Sequence, residues 1–255
     1  MKAFLKSIII ATVMTISCTS SAFATEVISN FVDMENILYN HFENRDTNFS
    51  FLYKGTKEEF KENINKVIRQ AYSRNDYLER SWLEVKPLAK VTSNGINTEV
   101  NVTYISTKEE EEYVDRELSR ITNSIINENM SSLEKVRVIN DYIVNRYEYD
   151  YSLQSVSPYS ALTTSKTVCQ GYAMTAYKML NYAGIENKIV VGTAREISHA
   201  WNLVQVDGNW YQLDVTNNDS VKADKYFLVS DKVLENNNYV WDKTKYPEAP
   251  NEYYR

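Results

Sequence analysis

The chain of 255 residues has only two cysteines and two histidines, Cys18, Cys169, His41 and His199. Behind Cys169, apolar residues repeat at helical spacing as far as Ala183-Gly184, where glycine suits the left-handed residue that ends a helix. A cysteine at a helix N-terminus meets unpaired backbone amides and the positive end of the helix dipole, which stabilise a thiolate. Cys169 is therefore predicted to be a nucleophile that an adjacent base would activate, the alternative being an inert core thiol.

A predicted hairpin brings a histidine and an aspartate together. Two stretches with strand character, 197–206 and 209–215, flank Asp207-Gly208, a strong two-residue hairpin signal. With this loop, Asp214 lies on the same sheet face as His199 and diagonal to it, roughly 7–8 Å away between backbones, near enough for the side chains to meet. The register predicts a hydrogen bond that orients the imidazole and stabilises its charged form. The alternatives are a satisfied core histidine and a turn or cap carboxylate.

The scarcity of metal ligands and the charge of the chain exclude several classes of protein. A zinc site of four cysteines cannot form, a site of two cysteines and two histidines would use all of them, and no H-E-x-x-H or C-x-x-C occurs. We therefore predict no metal and no other cofactor. With 28 Lys and Arg against 34 Asp and Glu, the net charge is −6, which argues against a nucleic-acid partner.

Several segments, in this order along about half of the chain, resemble the transglutaminase-like superfamily of papain-like fold, in its secreted bacterial branch with an N-terminal αβ extension. They are Ser131-Ser-Leu-Glu-Lys-Val, Tyr147-Glu-Tyr-Asp150, Tyr159-Ser-Ala-Leu162, Val168-Cys-Gln-Gly-Tyr-Ala173, Ala183-Gly-Ile185, His199-Ala-Trp-Asn202 and Trp210-Tyr-x-Leu-Asp214-x-Thr216. The combination is specific, whereas each segment alone would be a weak signal.

The resemblance implies a fold and a site. The fold is α+β, with a central helix carrying Cys169 packed on an antiparallel sheet that carries His199 and Asp214, and these three residues form a catalytic triad. One departure from the family pattern is Asn217-Asn218-Asp219, where Trp and two acidic residues often stand, and another is Ser165-Lys166, where glycines are common. The first is expected to change the rim of the site, and neither removes a triad member.

Helix-start signals divide the chain into two parts. Thr56-x-x-Glu59, Thr107-x-x-Glu110 and Ser131-x-x-Glu134 match capping boxes, each followed by apolar residues at helical spacing. Between the first two boxes, alternating residues at 82–87 and 98–105 predict two strands joined at Ser93-Asn94-Gly95. We predict a smaller N-terminal α-β-β unit over residues 25–107, with scope for a further strand before its helix, and a transglutaminase-like catalytic domain over residues 108–255.

The N-terminal segment Met1–Ala24 has the features of a secretory signal peptide. Lysines precede an apolar run that ends in Ala22-Phe23-Ala24, an A-x-A cleavage pattern, and the run is too short to span a bilayer. A buried helix and a lipid anchor at Cys18 are the weaker alternatives, the latter because Thr15 replaces the Leu of a lipobox. We predict a secreted or cell-envelope protein with no integral membrane span, whose one remaining cysteine is Cys169.

Two further side chains, Tyr159 and Trp201, have types that could serve the site, whereas the second histidine does not. Tyr159 is a candidate hydrogen-bond donor to an oxyanion beside Cys169, although a chain with 20 tyrosines offers many without such a role. Trp201 shares the face of His199 and is a candidate wall of an acyl-binding slot, with core packing as the alternative. His41 has no visible chemical partner and is predicted to be structural or exposed.

The predicted function is that of a secreted cysteine-dependent enzyme that transfers acyl groups through a thioester. It would act on peptide or glutamine-type amides as a protease, amidase or transglutaminase. The expected substrate is a protein or peptide, and the cell wall is one candidate source of this substrate. A non-catalytic cell-envelope binding or scaffolding module that retains the fold is the alternative. A metal-dependent hydrolase is a third, weaker hypothesis because it lacks ligands, and no acidic loop matches the calcium sites of animal family members.

Overall fold

The computed structural model describes residues 7–8, 26–221 and 224–253. The chain divides into two compact units, residues 1–108 (unit 1) and 109–255 (unit 2). Apart from Ser7–Ile8, the predicted signal peptide Met1–Ala24 lies outside the described residues, and so does Cys18. Within the described ranges, no helix is both long enough and apolar enough to cross a membrane.

In its described residues, unit 1 has a five-stranded sheet and three helices. Its elements are β1 (Ser7–Ile8), β2 (Glu26–Ile28), α1 (Phe31–Glu43), β3 (Asn48–Tyr53), α2 (Lys57–Tyr72), α3 (Asp76–Arg80), β4 (Trp82–Thr92) and β5 (Gly95–Tyr104). The strand order is β1-β4-β5-β3-β2. The three central strands are antiparallel, while β1 and β2 run parallel to their neighbours.

The core of unit 1 lies between this sheet and its helices. Residues of β3 alternate between exposed and buried, and the buried Phe51 shares a core with Met34 of α1 and Ile64 of α2. The predicted β4–β5 hairpin and the helix that starts after Thr56 are confirmed, the latter with its complete capping box. The sequence did not predict α1, although Asn30 caps it through its side chain.

Unit 2 contains the segments that resemble the transglutaminase-like superfamily. Its elements are α4 (Lys108–Ile125), α5 (Ser132–Arg146), β6 (Glu148–Tyr149), α6 (Pro158–Thr164), β7 (Lys166–Thr167), α7 (Cys169–Tyr182), β8 (Asn187–Ala194), β9 (Ile197–Val206), β10 (Asn209–Leu213), α8 (Val215–Val221), α9 (Asp231–Asn236), β11 (Tyr239–Trp241) and the 3-10 turn Lys243–Lys245. Its main sheet is antiparallel, in the order β10-β9-β8-β11, and β6 pairs with β7 in parallel.

Helix α7 packs against this sheet, chiefly on β9. Its buried Tyr172, Ala176 and Met179 share one core with Val204 of β9 and Leu213 of β10. The predicted helix end is also confirmed, because α7 stops at Tyr182 and Gly184 follows with a φ of 75°. The chain is a mixed α+β protein, which confirms the predicted fold class.

Candidate active site

Cys169 is the first residue of α7 and is a partly exposed free thiol. Val168 precedes the helix in extended conformation and provides no side-chain cap, so the amides of the first turn are not capped from that position. The strand before the helix is tied down by two contacts. The Val168 amide donates to the Ser155 carbonyl at 2.9 Å, and the Thr167 hydroxyl donates to the same oxygen at 2.9 Å.

A glycine allows this strand to lie close to the helix. A Cβ added at Gly171 would lie 1.8 Å from Oγ1 of Thr167, a separation that no side chain tolerates. Thr167 is fully buried and belongs to β7, two residues before the nucleophile candidate. Because Gly171 has no side chain, Thr167 can pack against the first turn of α7, and this contact helps to fix the position of Cys169.

The hairpin that carries the histidine has the predicted register. Asn209 pairs with Val206 and Leu213 pairs with Asn202. The two turn residues have positive φ, 50° at Asp207 and 79° at Gly208, as a two-residue hairpin loop requires. Asn202 also donates to the Ala173 carbonyl at 3.1 Å, which ties β9, the strand of His199, to the helix of Cys169.

The predicted end of the second strand was wrong. The sequence favoured a strand over 209–215, but β10 ends at Leu213 and α8 begins at Val215. Oδ1 of Asp214 accepts a hydrogen bond from the Asn217 amide at 2.9 Å, which is a helix N-cap contact. This local cap ends the strand, so Asp214 reaches His199 from the junction of strand and helix.

His199 and Asp214 form a buried pair. Nε2 of His199 lies 2.7 Å from Oδ2 of Asp214, and their side chains are 9% and 0% exposed. Burial alone would lower the pKa of His199, but the Asp214 carboxylate and a hydrogen bond with Cys169 raise it above its usual value. Because Nε2 contacts Asp214, Nδ1 is the ring nitrogen left for the thiol. A proton can therefore be exchanged between Cys169 and an imidazole that an anion holds in place.

Asp214 is charged although it is fully buried. Burial raises the pKa of its carboxyl group, but His199 and two further side-chain donors outweigh burial and hold that pKa below the usual range. The Tyr239 hydroxyl donates to Oδ2 at 2.6 Å, and the Asn217 side-chain amide donates to the same oxygen at 2.7 Å. Sequence reasoning identified Asn217 only as a departure from the family pattern and did not identify Tyr239.

Trp201 and Tyr159 occupy different surroundings. Trp201 is 1% exposed, its ring lies 5.9 Å from that of His199, and its Nε1 donates to Gln212 at 2.7 Å. These are contacts of a core side chain that packs against the imidazole. Tyr159 lies on α6, where its ring packs edge-on against Tyr113 at 5.7 Å. The proposed oxyanion and substrate roles of both residues stay predictions.

Tyr149 is a neighbour of the thiol that sequence reasoning missed. Burial and the charge of Cys169 raise the pKa of its hydroxyl. It pairs with Thr167 in the short β6–β7 ladder, which brings it to the segment just before the nucleophile candidate. The available signal was its place in the segment Tyr147-Glu-Tyr-Asp150.

His41 has a chemical partner that the sequence did not reveal. Within unit 1, its Nδ1 lies 2.6 Å from Oδ2 of Asp46, and its ring stacks on Phe49 at 4.0 Å. In the part of the chain that the structure describes, no three His, Cys, Asp or Glu side chains are grouped so that they could hold a metal ion.

Comparisons with known proteins match the part of the chain that carries Cys169, His199 and Asp214. Residues 119–215, which make up less than half of the chain, match the family model of the transglutaminase-like superfamily. Kyphoscoliosis peptidase of Mus musculus is 32% identical over 117 residues, which cover 39% of this chain and 18% of that protein. The Homo sapiens protein of the same name is 31% identical over 117 residues, with the same coverage. The chain thus spans less than a fifth of the length of these relatives.

One solved structure described as a TGase has a TM-score of 0.35 and 16% identity, and the likeness covers 75% of this chain and 59% of that one. We draw no functional conclusion from a likeness of this extent.

Proposed function

We propose that this protein is a cysteine-dependent acyl-transfer enzyme that acts on peptide or glutamine-type amides, with Cys169 as nucleophile, His199 as acid and base, and Asp214 as the residue that orients His199. The observation that carries the proposal is the chain of contacts from the Cys169 thiol through the His199 ring to the buried Asp214 carboxylate. A thiol is activated by such an arrangement because the imidazole takes its proton while the carboxylate holds the imidazole in place.

The reaction proceeds in two halves. In the first, Sγ of Cys169 attacks the amide carbon, and the C–N bond breaks as the His199 imidazolium gives its proton to the departing amine or ammonia. A thioester and a neutral imidazole remain. In the second half, water or an amine gives its proton to His199 and attacks the thioester carbon, and the C–S bond breaks to return the thiolate and the imidazolium.

The charges and burial support this cycle. The raised pKa of His199 favours the imidazolium at neutral pH, which is the form that pairs with a thiolate and later donates a proton. His199 and Asp214 are shielded from solvent while Cys169 is partly exposed, so the nucleophile can meet a substrate while its partners stay fixed. The match of residues 119–215 to the transglutaminase-like family supports a cysteine-protease or transglutaminase type of function.

The substrate class and location are part of the proposal. The name of the matched kyphoscoliosis peptidases supports a peptide or protein substrate. The N-terminal sequence supports secretion, with a cell-wall peptide as one accessible substrate. Hydrolysis and amine transfer share the thioester, and the acceptor that reaches it decides between them.

Mass spectrometry of a casein and cell-wall peptide mixture, incubated with the protein and with Cys169→Ala, tests this function. New termini indicate cleavage, crosslinks with loss of ammonia indicate amine transfer, and a small mass gain at glutamine indicates deamidation. We expect at least one of these products with the unaltered protein and none with Cys169→Ala. Identical product patterns would refute the catalytic proposal and favour the non-catalytic envelope module.

A further inference from the structure

The carboxylate of Asp214 is surrounded by donors from three parts of unit 2. Besides His199 on β9, the Asn217 side chain and the Tyr239 hydroxyl both donate to Oδ2, at 2.7 and 2.6 Å. The Asn217 backbone amide donates to Oδ1 at 2.9 Å. A buried carboxylate stays ionised only where hydrogen bonds replace the water it has lost, and here both oxygens are supplied.

The two side-chain donors are themselves held in place. The Asn217 Nδ2 group lies 2.6 Å from the Tyr239 hydroxyl oxygen, so that oxygen accepts from Asn217 while its own proton goes to Asp214. The guanidinium of Arg195 donates to Oδ1 of Asn217 at 3.4 Å. Because Arg195 can only donate, it requires an oxygen on that side of the amide and leaves the NH2 group directed at Asp214.

We propose that Asn217 and Tyr239 are positioning residues of this site, which hold the Asp214 carboxylate ionised and aimed at His199 Nε2. The inference rests on the proposed function of Cys169. Both side chains donate to Asp214, and Nδ2 of Asn217 also lies 3.3 Å from Nε2 of His199, so each acts through the Asp214–His199 pair.

Because these donors keep Asp214 ionised, the reactive thiolate of Cys169 is expected to persist to lower pH than it would without them. When the pH falls far enough to protonate Asp214, the imidazolium loses its anionic partner and the thiolate is lost with it. Removal of one donor makes protonation of Asp214 easier, so this loss occurs at higher pH. In the part of the chain that the structure describes, the titratable and charged groups around the pair include Cys169 on α7, Tyr239 on β11 and, through Asn217, Arg195 in the turn between β8 and β9. Tyr226 packs against Tyr239 and accepts from Arg195.

The test is the rate of iodoacetamide alkylation of Cys169 as a function of pH. Tyr239→Phe keeps the ring, which packs against Trp201, and removes only the hydroxyl. We expect the acidic limb of its profile to lie about 1 to 2 pH units higher, the effect of one hydrogen bond to a charged group. Asn217→Ala is expected to move the same limb in the same direction.

Tyr172→Phe is the matched control. Tyr172 is fully buried, and its hydroxyl donates at 2.7 Å to the Asp219 carboxylate, so this variant removes the same kind of hydrogen bond from a carboxylate other than Asp214. Its acidic limb is expected to stay where it is in the unaltered protein. Near-ultraviolet circular dichroism at neutral pH shows whether each variant is folded. If Tyr239→Phe does not fold, the alkylation profile of Asn217→Ala tests the inference instead.

The outcomes separate this inference from the function on which it rests. A rate that falls by the same factor at every pH, with an unmoved acidic limb in Tyr239→Phe and Asn217→Ala, would mean that the two residues have a structural role alone and would overturn the inference. An unaltered protein whose Cys169 reacts no faster than a free cysteine at any pH would instead overturn the proposed function itself.

Discussion

Substitution of Asp214 by asparagine removes the charge that keeps His199 protonated while it changes the size of the side chain very little. Burial acts to lower the pKa of His199, and the contacts with Asp214 and Cys169 counteract it. Without the carboxylate, burial becomes the dominant influence, so the pKa of His199 should fall and the neutral imidazole should be favoured. A neutral imidazole cannot hold a thiolate as its counter-ion, and Cys169 should then react as an ordinary protonated thiol.

The size of the effect follows from how little thiolate an ordinary cysteine has. Near pH 5, less than about 0.1% of a free thiol is ionised, whereas an ion-paired thiol is mostly thiolate. The lower nucleophilicity of a stabilised thiolate offsets much of this gain, which leaves an advantage of roughly 10- to 30-fold. We therefore expect Asp214→Asn to slow iodoacetamide alkylation of Cys169 about tenfold at this pH.

The same substitution should destabilise the fold in a pH-dependent way. The change Asp214→Asn leaves the buried donors of His199, Tyr239 and Asn217 without the anion, at a cost of about 3 kcal/mol near pH 7. The folded-state pKa of Asp214 lies below its unfolded value, so its stabilisation is present above about pH 4 and is lost as the pH falls through the folded value. Urea unfolding should therefore show the two proteins converging in acid.

Asp219→Asn is the control for burial and shape, because Asp219 is a buried carboxylate that accepts from the Tyr172 hydroxyl at 2.7 Å. It should leave the alkylation rate of Cys169 unchanged. Equal alkylation rates for the unaltered protein and Asp214→Asn near pH 5 would refute the idea that this carboxylate sustains the thiolate.

Three other substitutions test the scaffold. Gly171→Ala forces a methyl group into Thr167 and should cost about 1–3 kcal/mol in urea unfolding; an unchanged midpoint would show that β7 can move away. Ser131→Ala removes the hydroxyl of a complete capping box and should cost about 1 kcal/mol in the same assay, with no change in Cys169 alkylation. Asn202→Ala cuts the bond to Ala173 and should slow alkylation several-fold while the fold persists; a rate equal to that of the unaltered protein would argue against this bond as an alignment device.

The parts of the site that the sequence predicted are those that local signals determine. The helix that begins at Cys169 follows from apolar periodicity and a glycine stop, and the position of His199 on β9 follows from the Asp207-Gly208 turn, which sets the register of the hairpin. The capping boxes at Thr56 and Ser131 were equally local and are confirmed.

The parts that were missed depend on long-range contacts or on competition between local preferences. Tyr239 is 25 residues from Asp214 and reaches it because β11 pairs with the far side of β8, which no local pattern indicates. Asp214 and Val215 look like strand residues, but the carboxylate also accepts from a backbone amide three residues later and so starts a helix. The result is a carboxylate that serves both as helix cap and as partner of His199.

The covalent intermediate provides the most direct test of the central claim. This claim is that Cys169 attacks an amide while His199 transfers the proton and Asp214 orients His199. The protein can be mixed with a peptide mixture, quenched in acid within its first turnover and digested, and the peptide that contains Cys169 weighed. We predict an added mass equal to the substrate less its departing amine or ammonia, released by neutral hydroxylamine as a thioester should be, and absent in Cys169→Ala. Product formation that continues in Cys169→Ala, with no adduct on Cys169 in the unaltered protein, would contradict the claim.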